Sequence, residues 1–347
     1  MVTSCDRRLC VLVSHLTPVV TSQGTQPSTF DGAGSHKNFL KNNPSLKRKL
    51  RDVPDYKPGD YVSPRVGPQP GDCKNAGEFH EKLIEMMDSQ GFGEQRRFLD
   101  ENAWTVLDGV LPDALVEELR RETLRCIDEE PRTSRGNVMH TSYGLLARGQ
   151  VFERLFCHPL CMMLAEYMCG KGAIASQLAG IRKKPVGRGH RNTMNIPLHS
   201  DISLVREPFP DYPMLITIVV ALDDWEEGSG GTYFIPGTHH QRRDYNKETD
   251  PGIRTPPVTC KKGSIVIWDG ALWHANSERT KVPASCPDED RVTLHLTYQR
   301  SFYKPLEDYS HVADELIARN GPTMASLLGA PNLHTYLAQD AGLWKNS

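Results

Sequence analysis

The feature that most restricts the fold is a succession of short apolar runs in the second half of the chain, cut by turn residues and never by a helix. "MLITIVVAL" (Met214 to Leu222) is a near-continuous β-branched run, and the turn-rich "DDWEEGSGG" follows it. Then come "TYFIPGTHH", "CKKGSIVIWDGALWHAN" and "RVTLHLTYQRS". Runs of this length and composition, bounded by Gly, Pro and Asp, are strands. Parallel neighbours need a crossover of a dozen or more residues, usually helical, so these strands pair antiparallel. The expected fold is mainly β with flanking helices, built on a double-stranded β-helix core (a cupin-like jelly roll).

Upstream the pattern changes twice. Residues 1–75 are rich in Ser, Thr, Pro, Gly, Asn and Lys and hold few groups able to build a core, so they are expected to be a disordered leader. Its basic run "LKRKLR" (Leu46 to Arg51) is read as solvated. From "AGEFHEKLIEMMDSQGF" the spacing of Phe79, Leu83, Ile84 and Met87 predicts a helix. A short strand follows at Trp104 to Leu107, then a helix opened by Pro112-Asp113, then one further helix over "VFERLFCHPLCMMLAEYMC". The division is therefore a helical lead-in at 76–172, a jelly-roll core at 173–303, and one or two C-terminal helices within 304–347, the span 76–347 forming one domain.

Composition removes some function classes. A formal charge of −2 in 347 residues gives no global electrostatic case for nucleic acid or a membrane surface. The early apolar stretch "LCVLVSHLTPVV" is broken by Ser14, His15 and Pro18 and makes a poor signal peptide; nothing reaches transmembrane length. Nine cysteines without a C-x-x-C, the closest group being Cys157, Cys161 and Cys169 in helical surroundings, read as small buried hydrophobes. Their odd, scattered count fits a reducing compartment, so a cytoplasmic location is expected. The oligomeric state is left open.

Chemistry concentrates in four residues that fall in strand-like segments. In "NIPLHSDISL" (Asn195 to Leu204), His199 and Asp201 are two apart, and residues at i and i+2 of an extended chain share a face. A buried carboxylate needs a cationic partner, either an arginine or a metal. His274 ends the "SIVIWDGALWHAN" strand, and Arg291 begins "RVTLHLTYQRS". Two imidazoles and one carboxylate make the facial triad of a mononuclear non-haem Fe(II) site with three positions open. An arginine fork suits the far carboxylate of a dicarboxylate cosubstrate. His239 and His240, in the "PGTHH" corner, and His295, alternating with core residues, are not expected to be ligands.

The order H-x-D, later H, then R resembles the iron(II)/2-oxoglutarate-dependent dioxygenases, and specifically the phytanoyl-CoA dioxygenase-like family. "ALDDWEEGSGGTYFIPGTHH" is similar to that family's strand, acidic turn and P-G-[ST]-H corner. "KKGSIVIWDGALWHANS" is similar to its strand ending in the distal histidine, and "TVLDGVLPDALVEELRRE" to the helix before its barrel. The resemblance runs from about Glu78 to Tyr303. It implies that His199, Asp201 and His274 hold Fe(II), that Arg291 binds the C5 carboxylate of 2-oxoglutarate, and that Gln177 in "ASQLAG" is a polar contact to that cosubstrate. It also implies O2 as the oxidant, succinate and CO2 as products, and hydroxylation as the outcome. The long "ANSERTKVPASCPDED" segment before Arg291 makes Arg279 the alternative arginine.

The partner is expected to be a small-molecule substrate. "IRKKPVGRGHRN" (Ile181 to Asn192) carries Arg182, Lys183, Lys184, Arg188, His190 and Arg191, which reads as a lid able to receive an acidic group on that substrate. Desaturation or ring formation with the same cofactors is one alternative outcome. Halogenation is disfavoured because halogenating relatives lack the carboxylate that Asp201 supplies. A non-catalytic jelly roll that binds a ligand or partner is the alternative of another class.

Overall fold

The computed structural model describes residues 73–129, 139–184, 196–250, 252–282 and 290–329, all within a single unit, Pro44–Ser347. The first helix, α1 (Ala76–Ser89), starts where the Asn75 side chain accepts the Glu78 amide and caps the orphan donors of its first turn. Phe79, Leu83 and Met87 form its buried stripe. Then follow α2 (Gly93–Asn102), β1 (Trp104–Leu107), α3 (Asp113–Glu129) and β2 (Met139–Ser142). The single helix expected over residues 151–169 is two: α4 (Gln150–Phe156) and α5 (Pro159–Cys169). Pro159 has no amide hydrogen to donate and fits only the first turn, so the chain breaks at Cys157 and restarts with His158 as the cap.

The remaining strands are β3 (Ile174–Lys183), β4 (Leu215–Ala221), β5 (Thr232–Phe234), β6 (Ile265–Asp269), β7 (His274–Asn276) and β8 (Arg291–Gln299), followed by α6 (Ala313–Leu327), which is interrupted at Gly321-Pro322. Six strands form one antiparallel sheet in the order β1-β6-β4-β8-β3-β2. Opposite it β5 pairs with β7, extended on one side by a bridge between His199 and His274 and on the other by the Val258 amide bonding to Thr232. Two facing antiparallel sheets with helices outside are the jelly-roll architecture that the strand texts require.

Strand periodicity assigns each residue to one of two cores. One face of the large sheet, with Ile216, Ile218, Val220, Leu294, Leu296 and Tyr298, packs against the helices. Helix α3 comes so close to β3 that a Cβ on Gly180 would meet Thr123 Cγ2 at 2.6 Å. Helix α5 is buried from Leu160 to Cys169, which is why it is apolar on nearly every side, Glu166 excepted, and why Cys161 and Cys169 lie within it as free thiols. The other face, with Val219, Val266 and Trp268, meets Phe234 and Trp225 between the sheets. That inner space holds the site.

Candidate active site

His199 and His274 stand opposite each other across the bridge that joins their segments, each amide bonding to the other's carbonyl at 3.1 and 3.0 Å. Their rings lie 4.4 Å apart between centroids. His199 Nδ1 is 2.7 Å from the Pro197 carbonyl oxygen, and His274 Nδ1 is 2.9 Å from that of Leu272. A carbonyl only accepts, so each Nδ1 carries the proton and each Nε2 keeps its lone pair. Both lone pairs face Asp201, whose Oδ1 is 3.5 Å from each Nε2. The expected strand over "NIPLHSDISL" is reduced to the bridge at His199, with a turn from Asp201 onward. The two side chains converge nonetheless, because the Asp201 amide is tied to the Gly270 carbonyl at 2.7 Å.

The second oxygen of Asp201 has other work. Oδ2 accepts from Thr217 Oγ1 at 2.8 Å and from Trp268 Nε1 at 2.9 Å, both from inner-face positions paired in register between β4 and β6. This fixes which oxygen meets the histidines. Burial disfavours the Asp201 anion, but the two imidazoles of His274 and His199 that face it outweigh this and hold the carboxyl well below its usual range. Burial likewise lowers the His199 pKa, and the Asp201 contact reverses the direction and raises it.

The donor atoms of His199, Asp201 and His274 lie within 4.8 Å of one another, and among the described residues this is the group able to hold a metal ion. Adjacent ligands around an ion with bonds of about 2.1 Å stand about 3 Å apart. The observed 3.5 Å is within a small side-chain adjustment of that, and nitrogen and oxygen donors suit a divalent first-row ion. The residues fit the group.

A cavity of about 180 Å³ opens on these three side chains and is also lined by Gln177, Thr217, Trp268 and His295. Tyr143 and Leu306, about half exposed, stand in its wall. Gln177 is thus brought to the site. Arg291 does not line this cavity; it continues the inner face of β8 below Thr297, His295 and Thr293, buried, with its guanidinium 4.9 Å above the Trp225 ring and donating to the Gly230 carbonyl. Arg279, bridged to Ser229, is also buried nearby, on the segment after β7. His239 and His240 lie side by side with tilted rings in a 3-10 turn outside the donor set; the neighbouring Thr238 hydroxyl accepts the Trp273 amide at 3.0 Å and so steadies the strand that carries His274.

The basic segment expected as a lid needs correction at its start. Ile181 to Lys183 complete β3; Arg182 is buried and bonds Asp128 at 2.8 Å, and Lys183 is buried beneath the sheet. Arg188, His190 and Arg191 lie outside the described residues, as do residues 1–72 of the leader expected over 1–75; Cys73 is buried and Asn75 caps the first helix. Missing from the sequence reading were Thr217 and Trp268; His295 was expected among core residues and not as a ligand, and it stands outside the donor set but in the cavity wall. The signal was available for His295: the odd-numbered residues of β8 are polar, Arg291, Thr293, His295 and Thr297, and the even-numbered ones apolar, so its face is the cavity face rather than the helix-packed one. Burial pushes its imidazole down to about 4, which keeps it neutral.

A family model described as Phytanoyl-CoA dioxygenase (PhyH) matches residues 99–283, just over half of the 347 residues. The chain belongs to the phytanoyl-CoA dioxygenase family. The matched span contains His199, Asp201 and His274 and stops short of Arg291. Among similar proteins, an uncharacterised protein of Mycobacterium tuberculosis is 28% identical over 34% of this chain and 40% of its own length. Dioxygenase andF of Emericella variicolor is 22% identical over 57% of this chain and 65% of its own. The human peroxisomal phytanoyl-CoA dioxygenase is 22% identical over 61% of each. The match thus spans less than two thirds of the length of these family relatives. The crystal structure of SnoN, a non-heme alpha ketoglutarate dependent epimerase from nogalamycin biosynthesis, superposes with a TM-score of 0.51 at 22% identity, covering 65% of this chain and 90% of that one. The phytanoyl-CoA dioxygenase family and this neighbour agree on the fold. No helix among the described residues is long and apolar enough to cross a membrane.

Proposed function

We propose that this chain is an Fe(II)- and 2-oxoglutarate-dependent dioxygenase that hydroxylates a small-molecule substrate, with release of succinate and CO2. The observation that carries this reading is the convergence of His199 Nε2, His274 Nε2 and Asp201 Oδ1 at the wall of a cavity in a chain of the phytanoyl-CoA dioxygenase family. SnoN, by its description, is bound to Fe3+ and alpha ketoglutarate in one of its structures, which supports the same cofactors here. A bound ferrous ion supplies the activation of O2 that the protein's own side chains cannot perform.

The chain's residues do the rest. The carbonyls of Pro197 and Leu272 orient the two imidazoles, while Thr217 and Trp268 hold Oδ2 of Asp201 so that Oδ1 faces them. Arg291 binds the distal carboxylate of 2-oxoglutarate, and Gln177, in the cavity wall, offers its amide to the same molecule. Neutral His295 and the Trp268 ring keep the inner wall free of further charge. The substrate enters past Tyr143 and Leu306 and presents a carbon to the face of the triad that the protein leaves open.

Succinate formation from 2-oxoglutarate, measured with pools of candidate metabolites in air and under nitrogen, tests this. Oxygen-dependent succinate that rises with one pool and is lost in Asp201→Ala supports it. Equal release from wild type and Asp201→Ala sinks it.

A further inference from the structure

At the end of the inter-sheet space away from the triad, β3 and β8 finish in a pair of cations. Lys183 and Arg291 are direct partners in the antiparallel register, so their Cβ atoms are about 5 Å apart on one face. Both side chains are buried. Both also cross to the small sheet: Lys183 Nζ donates to the Ser277 carbonyl at 2.6 Å and Arg291 to that of Gly230. Ser277 directly follows Asn276, and Gly230 lies two residues before Thr232; Asn276 and Thr232 are paired and line the triad cavity. The two heads therefore lie just past the Thr232–Asn276 end of that cavity.

Like charges directly opposite on a sheet repel, and burial adds to the cost. Elsewhere the same face of β3 carries Ala179 and Ile181, so nothing in the strand pattern calls for an ammonium there. Burial, then the charges of Arg291 and Arg279, push the Lys183 ammonium down to about 7, with Glu278 acting in the opposite sense. An anion between the two heads would convert this repulsion into two charge-assisted contacts, the fork of Arg291 on one side and the point charge of Lys183 on the other.

We propose that Lys183 is a second binding residue for the cosubstrate, which with Arg291 seats the distal carboxylate of 2-oxoglutarate at the end of the triad cavity; this rests on the 2-oxoglutarate reading given above. On binding, the two cations exchange their carbonyl contacts for the carboxylate oxygens. Such a seat makes the distal carboxylate a stringent requirement, and 2-oxo acids without one are rejected.

The test is calorimetric titration of the full chain, loaded with Mn(II), with 2-oxoglutarate and separately with 2-oxobutyrate, which has no distal carboxylate. Lys183→Met is expected to weaken 2-oxoglutarate by about 10- to 100-fold, the worth of one charge-assisted hydrogen bond. It leaves 2-oxobutyrate within about threefold, and Lys183→Arg restores part of the loss. The ligand-free melting temperature of Lys183→Met stays level or rises, because one of two like charges is gone; a merely structural lysine holding Ser277 would lower it. Lys183→Gln, which keeps a donor for the Ser277 carbonyl, is read in parallel and decides the matter where Lys183→Met does not fold. An unchanged ratio of the two affinities in the variants overturns the role of Lys183 while leaving the cosubstrate intact. Wild type that binds neither acid overturns both.

Discussion

Removing the Thr217 hydroxyl isolates the contribution of carboxylate orientation to metal binding. Valine has the same branching and nearly the same volume, so Thr217→Val keeps the β4 backbone and the inner-face packing while deleting the 2.8 Å donor to Asp201 Oδ2. Trp268 Nε1 then holds that oxygen alone at 2.9 Å. A hydrogen bond to a charged group is worth about 1.5–3 kcal/mol, and loss of a residue that orients a metal ligand typically costs about 10- to 100-fold in metal affinity. With one brace of two remaining, Thr217→Val is expected at the lower part of that range, about 10-fold, and Trp268→Phe in the same range. The double variant is expected to exceed the product of the two, because the carboxylate is then free to rotate about its own axis. The assay is Fe(II) or Mn(II) titration under anaerobic conditions, with denaturant unfolding of the metal-free variants as the control. Metal affinity within about twofold of wild type in the double variant would refute the reasoning, since Oδ1 would then be oriented without either donor.

Other perturbations probe separate parts of the structure. Glu153 on α4 is buried against Arg319 and Asn320 of α6, with Arg319 Nε at 3.0 Å and Asn320 Nδ2 at 2.6 Å; Glu153→Ala removes the carboxylate that both share and is expected to cost about 1.5–3 kcal/mol in urea unfolding, a loss below about 0.5 kcal/mol contradicting this. Gly270→Ala would bring a Cβ within 2.9 Å of the Leu215 carbonyl oxygen and 3.0 Å of Ile202 Cγ2, so the segment must shift and take with it the carbonyl that holds the Asp201 amide. Metal binding in Gly270→Ala is expected to fall while far-ultraviolet circular dichroism stays native, and unchanged metal binding refutes the coupling. The pH dependence of stability follows Lys183, whose pKa is about 7 in the fold against 10.5 unfolded. Between those values the unfolded chain binds more protons, so Lys183 makes stability rise with pH. Lys183→Met lacks that contribution: its advantage over wild type in ligand-free unfolding is largest at and below about pH 7 and disappears near about pH 10, and a difference independent of pH contradicts the assignment.

The β architecture was legible because strand signals are local. The run from Met214 to Leu222 contains β4, and the residues from Gly263 to Asn276 contain β6 and β7, because β-branched runs bounded by Gly and Asp leave few other conformations. The convergence of His199, Asp201 and His274 was visible only as an order of residue types; their meeting depends on a bridge between segments 75 positions apart, which no local pattern encodes. Thr217 and Trp268 were illegible for the same reason. Each looks like an ordinary strand residue until β4 and β6 are placed in register and both are found to face Asp201. The basic residues after Ala179 point in the opposite direction: a cluster of Arg and Lys before a glycine reads as part of a lid, yet Arg182 and Lys183 are the last residues of β3, drawn in by Asp128 on one face and Ser277 on the other. The break between α4 and α5 is written in Pro159, but the apolar periodicity runs through it and masks it.

Anaerobic addition of Fe(II) and then 2-oxoglutarate to the purified chain asks whether the triad and the dicarboxylate seat operate together. A weak visible charge-transfer band that requires both additions, and that disappears in His274→Ala and Asp201→Ala, is the expected result. Wild-type protein that gives no such band and shows no saturable uptake of Fe(II) would contradict a shared ion at His199, Asp201 and His274.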